Sequence, residues 1–128
     1  MNYLMVFVFG GLGGISRYSL SLMLQGNVFP FSTLIVNLLG CFLLVIVNEY
    51  LSLKWKLPKA IIVGIGTGFI GAFTTFSAFS MEFMQLYKAG EVALALTYIG
   101  ASLIGSMIVI NLAYWLVHHA LNKKGGNV

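Results

Sequence analysis

The chain contains no aspartate and only three acidic residues, Glu49, Glu82 and Glu91. Charged residues make up 8% of its 128 positions, against roughly 25% in an ordinary soluble domain. So little charge cannot cover a water-facing surface, which leaves lipid as the main solvent. Cysteine is nearly absent too. The lone Cys41 sits in an apolar run, where it rules out an internal disulfide and reads as a small core residue. No group of Cys, His and acidic side chains has metal-ligand spacing, and His118 and His119 stand at a helix end beside a basic tail. No nucleophile has a base and an orienting partner within the apolar runs, so the serines there are hydrogen-bond donors, not catalysts. An enzyme is not expected. The net charge of +4 comes from lysines placed between apolar runs and not gathered in a patch, which argues against a nucleic-acid partner.

What the chain has in quantity is apolar surface. It is 59% hydrophobic, with a mean hydropathy of +0.97. Four stretches reach the roughly 20 residues needed to cross a bilayer. They cover about 3–24, 32–53, 60–87 and 92–119, in one transmembrane domain spanning 1–128. The first lacks a basic leader and a clean cleavage site and contains Arg17, so it reads as a membrane span and not a signal peptide. Gly26, Asn27 and Pro30 mark the first connector, and Lys54, Trp55, Lys56, Pro58 and Lys59 form the basic loop after the second span. Trp55, Tyr87 and Trp115 fall near the expected interfaces. The sequence therefore predicts an all-α membrane protein of four transmembrane helices, with its function placed among them.

The third span is expected to be broken. Gly64, Gly66, Gly68 and Gly71 lead into Thr74, Thr75, Ser77 and Ser80, interleaved with Phe73, Phe76 and Phe79. Each interior Gly weakens a helix by roughly 1 kcal/mol relative to Ala. In lipid a break survives only where protein or a water-filled cavity satisfies the freed backbone groups. Glycines alone are better explained by close helix packing; the Thr-Thr-Phe-Ser sequence after them tips the reading towards a functional break.

Polar side chains inside spans are functional candidates by default. Arg17 lies deep in the first, and Asn37 in the second, one turn after Thr33. In the third, Phe76, Phe79 and Glu82 follow i, i+3, i+6 spacing on one stripe. In the fourth, Tyr98, Ser102 and Ser106 repeat at i, i+4, i+8. Each has a structural alternative: snorkelling for Arg17, interhelical bonding for Asn37, small-residue packing for the serines, an interfacial position for Glu82. Asn37, Thr33, Tyr98, Ser102 and Ser106 together offer N–H and O–H donors, and Phe76 and Phe79 offer electropositive ring edges. That lining suits a small anion, with donors replacing its hydration shell.

Three blocks carry a resemblance. They are Gly10-Gly11-Leu12-Gly13-Gly14 with Arg17, the run Thr33-Leu34-Ile35-Val36-Asn37-Leu38-Leu39-Gly40, and the run Gly71-Ala72-Phe73-Thr74-Thr75-Phe76-Ser77-Ala78-Phe79-Ser80. With them the chain resembles the bacterial Fluc (CrcB-type) fluoride channels over nearly its whole length. The resemblance implies an antiparallel, dual-topology dimer of four-helix subunits in the bacterial cell membrane, with two fluoride pores and passive export driven by the membrane potential. It implies that Phe76 and Phe79 face the pore beside Asn37, and that Tyr98, Ser102 and Ser106 form a polar track extended by Glu82 and Thr33. It also implies that the backbone carbonyls of Gly71 and Thr74 hold a structural Na⁺ at the dimer centre.

The charges fit a dual topology imperfectly. Lys54, Lys56, Lys59, Lys123 and Lys124 share one side, opposite Lys88 and Arg17, and this bias sets the N-terminus in the cytoplasm. A heterodimer with a related chain of opposite bias is therefore an alternative to a homodimer. Among other functions, a small multidrug-resistance-type proton-coupled exporter needs a titratable carboxylate in the first span, where this chain has Arg17. A non-transporting membrane subunit would use the same polar residues only to hold helices together.

Overall fold

Hydrocarbon offers the backbone no hydrogen bonds, so a spanning segment has to close its own, and helices do so. The computed structural model describes residues 2–24, 26, 28–55 and 57–125. Gln25 and Asn27 of the first connector, Lys56 of the basic loop and Gly126 of the tail lie outside the described residues, as do the side chains of Lys123 and Lys124. Four helical spans run Tyr3–Met23, Phe31–Leu51, Lys59–Lys88 and Val92–Asn122, each long and apolar enough to cross a membrane. The described residues contain no strand. At about 1.5 Å per residue the fourth helix exceeds a bilayer core of about 30 Å.

The third span departs from regular geometry twice. Its glycine-rich part, Gly64–Ile70, is wound as a wider π-helix. After one more turn, Gly71–Phe73, the helix stops: Thr74 (φ −80°, ψ 157°) and Thr75 (φ −150°, ψ 123°) are extended. Helix resumes at Phe76–Lys88. The expected break is present, and the threonines make it.

The glycines mostly serve contact between the first and third spans. A Cβ on Gly13 would stand 2.1 Å from the Phe69 carbonyl oxygen, and one on Gly68 would stand 2.7 Å from the Val6 carbonyl oxygen. Only residues without a side chain let two backbones approach this closely. Gly40 does the same for the second span, where a Cβ would lie 2.0 Å from the Thr74 side chain. Gly71 differs, with nothing within 4 Å of its Cβ position. The packing reading thus holds for Gly13, Gly40, Gly64 and Gly68, while Gly71 faces open space.

A buried cluster of Leu86, Ala95 and Tyr98 ties the third span to the fourth, with Phe29, Leu34, Phe79 and Phe83 packed around it. Tyr98 is fully buried; Phe29 meets it edge-on at 5.6 Å and Phe79 at 4.9 Å between ring centroids. Many large apolar side chains elsewhere are exposed, among them Phe7, Ile15, Leu103 and Met107, as expected where lipid or a second chain is the neighbour.

Adding a methyl group at the tightest crossing should therefore destabilise the protein. Gly13→Ala meets backbone that cannot move aside, and overpacking of this kind costs about 1–3 kcal/mol. Gly11→Ala, with open space at its Cβ position, should leave the melting temperature in detergent unchanged, and a thermal-shift comparison of the two variants checks this.

Candidate functional site

Two β-branched residues in extended conformation leave backbone groups open in mid-span, and the structure shows where they go. Asn37, on the second span, closes a two-bond clamp on Thr75. Its Oδ1 accepts from the Thr75 N–H at 2.9 Å, and its Nδ2 donates to the Thr75 carbonyl at 3.0 Å. An Asn amide matches a backbone peptide in just this way, as one acceptor beside one donor. Nδ2 carries a second hydrogen, so one N–H of Asn37 remains beyond the clamp.

Thr75 is also the N-cap of the helix that follows, its Oγ1 accepting from the Ala78 N–H at 3.2 Å. In an unbroken helix the Thr75 N–H would bond to the Gly71 carbonyl and the Ala78 N–H to the Thr74 carbonyl. Both donors are taken by side chains instead. The Gly71 and Thr74 carbonyls are left without those partners, bordering a groove of about 320 Å³ that Asn37, Cys41 and Phe76 also line.

About two turns beyond Thr75, Glu82 gathers hydroxyls from two other spans. Thr33 donates to its Oε1 and Tyr98 to its Oε2, both at 2.7 Å. Its carboxylate ties the second and fourth spans to the third. Thr33 and Asn37, one turn apart on the second span, divide their labour. Thr33 serves Glu82, and Asn37 serves the break.

The hydroxyl track is present but turned inward. Ser102 donates to the Tyr98 carbonyl at 2.7 Å and Ser106 to the Ser102 carbonyl at 2.5 Å. A hydroxyl has one hydrogen, so in this state neither serine has a donor to offer a ligand. Each can rotate towards one, exchanging a bond worth roughly 0.5–1.5 kcal/mol for a charge-assisted bond about twice as strong.

Arg17 is half-buried and makes no hydrogen bond or ion pair among the described residues. It lines a cavity of about 370 Å³ together with Ser32, Thr33, Thr75, Ser77 and Glu82. The cavity therefore has a guanidinium and a carboxylate on its wall and the helix break at its side. Phe79 leans on Tyr98, with Phe76 beyond it at 5.9 Å. Phe76 itself is 79% exposed. The structure thus draws Thr33, Glu82, Tyr98 and Phe79 into direct contact and puts Arg17 on a cavity beside them. It leaves Asn37 with Gly71 and Thr74 at the break, and Ser102 and Ser106 further along the fourth span.

Sequence reasoning passed over Ser32 as a lining residue and Thr75 as the residue held at the break. A signal existed for the second: a Thr immediately before an apolar helical run is an N-cap pattern. Ser32 had no signal beyond its place next to Thr33.

Residues 4–114 match the family described as CrcB-like protein, Camphor Resistance (CrcB). The Fluoride-specific ion channel FluC 2 of Listeria monocytogenes serotype 4b is 48% identical over 123 residues, covering 96% of this chain and 95% of that protein. The FluC 2 of Listeria innocua is 51% identical over 110 residues, covering 86% and 85%. Fluoride-specific ion channel FluC 1 of Bacillus cereus strain ATCC 10987 is 44% identical over 124 residues, covering 94% and 90%.

The Asn37 clamp carries its own test. Asn37→Leu leaves two backbone groups unmatched, each at about 1–3 kcal/mol. Its melting temperature should fall well below that of Cys41→Ala, a conservative change in the same groove. Equal stability of the two would refute the clamp.

Proposed function

The chain belongs to the CrcB-like family, and from that premise we propose that it is a fluoride-specific ion channel, a multi-pass protein of the bacterial cell membrane. The observation that carries the reading is the convergence of Thr33 and Tyr98, from different spans, on one small negative group, the Glu82 carboxylate. Two hydroxyls that hold one carboxylate, one on each of its oxygens, are donors that a small anion can take over. When fluoride arrives, Glu82 gives up one of these hydroxyls, and Ser102 and Ser106 turn from their own helix carbonyls to continue the path. Phe76 and Phe79 present ring edges to the ion, and the free N–H of Asn37 adds a donor at the break. Arg17 makes its cavity attractive to anions. Transport is passive, with the membrane potential driving the anion outward.

The working unit is two copies in opposite orientation, with two pores. The exposure of Phe76 supports this, since a pore-facing ring needs a further wall on its open side. The same geometry supports a structural Na⁺ between the copies. Carbonyls freed at the C-terminal end of a half-helix are the ligands that broken membrane helices offer Na⁺, and those of Gly71 and Thr74 have both lost their helical N–H partners to side chains. Their groove is on the open side, where the second copy's carbonyls complete the ligand set.

The partner is a second copy of this chain or a paralogue. The excess of lysines on one side supports a preferred orientation and hence a heterodimer, and relatives numbered FluC 1 and FluC 2 are consistent with paired chains. The homodimer is the simpler assembly and the one to test first.

Purified protein in liposomes, with a K⁺ ionophore to balance charge, should release F⁻ rapidly and Cl⁻ negligibly. Phe76→Ile/Phe79→Ile should abolish the release, as should Asn37→Asp, which adds a fixed negative charge and removes a donor. An absence of flux from folded dimer would overturn the homodimeric channel. For the cation, exchange of Na⁺ for N-methylglucamine should speed the mixing of differently labelled copies by at least tenfold; unchanged mixing would exclude Na⁺ as the link.

A further inference from the structure

A second cavity, of about 400 Å³, lies under the first connector, between the start of the second span and the end of the third. Its wall includes Phe29, Ser32, Glu82, Gln85, Ala89 and Glu91. Glu82 and Ser32 line this cavity and the Arg17 cavity as well. The Glu82 carboxylate therefore stands at the partition between the two spaces. The connector on one side and the turn at Ala89–Glu91 on the other place the second cavity at the membrane surface. The Arg17 cavity, with Thr75 and Ser77, reaches mid-span.

The donors around the Glu82 partition are in different states. Thr33 and Tyr98 are committed to Glu82. The Ser32 hydroxyl and the Gln85 amide make no hydrogen bond among the described residues, and both line the outer space. Gln85 also stands three residues after Glu82, as its neighbour on the helix surface. An anion shedding water would meet free donors first and exchange against Glu82 afterwards.

We propose that the cavity under the first connector is the outer mouth of the anion path, with Gln85 and Ser32 as its first protein donors. It opens on the side of the membrane opposite the basic loop. Glu91, on the same wall, is a fixed charge that opposes entry and acts most strongly at low ionic strength, where the Debye length is long. The proposal rests on the channel reading above.

The test is cysteine modification during fluoride efflux. Gln85→Cys and Ala89→Cys, each treated with the anionic reagent sulfonatoethyl methanethiosulfonate, should lose at least tenfold in F⁻ flux relative to wild-type protein treated identically. Lys88→Cys, exposed between them but off the cavity wall, should be modified without loss. Glu91→Gln should raise flux severalfold at 10 mM salt and little at 300 mM. Ala89→Cys keeps the test open if Gln85→Cys fails to fold. Active wild-type protein with modified but unblocked Gln85→Cys and Ala89→Cys would overturn the mouth and leave the channel standing. Inactive wild-type protein would overturn the channel reading itself.

Discussion

One constraint organises this molecule: a backbone interrupted in the middle of a membrane must find its hydrogen bonds elsewhere. Thr74 and Thr75 interrupt the third span, and Asn37 receives both peptide groups of Thr75. Each group left open in hydrocarbon would cost several kcal/mol, comparable to the whole net stability of a small domain. The break can therefore exist only where the second span brings Asn37, and Gly40 lets that span come close enough. Close packing and polar pairing are here parts of one device.

The break in turn sets the chemistry around it. Because the Thr75 and Ala78 N–H groups are taken by side chains, the carbonyls of Gly71 and Thr74 lack their helical partners. Because the helix restarts at Phe76, Phe79 and Glu82 are turned towards the fourth span, and Glu82 towards the second as well. Glu82 then meets Thr33 and Tyr98, and the buried Tyr98 ring steadies Phe79. The residues that would conduct an anion and the residues that hold the helices together are largely the same ones.

This overlap accounts for the state of the donors. In a membrane an unpaired hydroxyl is costly, so the serines of the fourth span bond to their own helix and Thr33 and Tyr98 bond to Glu82. A path lined with donors for a transient ion has to keep them satisfied between ions without binding them too firmly. Serine hydroxyls, which turn about one torsion and give up a weak bond for a stronger charged one, meet both demands.

The four spans, the lipid environment and the broken third helix were legible in the sequence, because apolar runs of about 20 residues and a glycine-rich stretch ending in Thr-Thr act locally. The candidate polar residues were legible too, since a polar side chain inside an apolar run is conspicuous whatever its partners. Their pairing was not. Asn37 and Thr75 are separated by 38 positions, and Thr33 and Glu82 by 49, so spacing along one helix could not show that Asn37 serves the break while Thr33 serves Glu82. Nor could it show which glycines pack and which, like Gly71, face open space. Periodicity determined which residues share a face; only the approach of different helices decided which atoms meet across the gap.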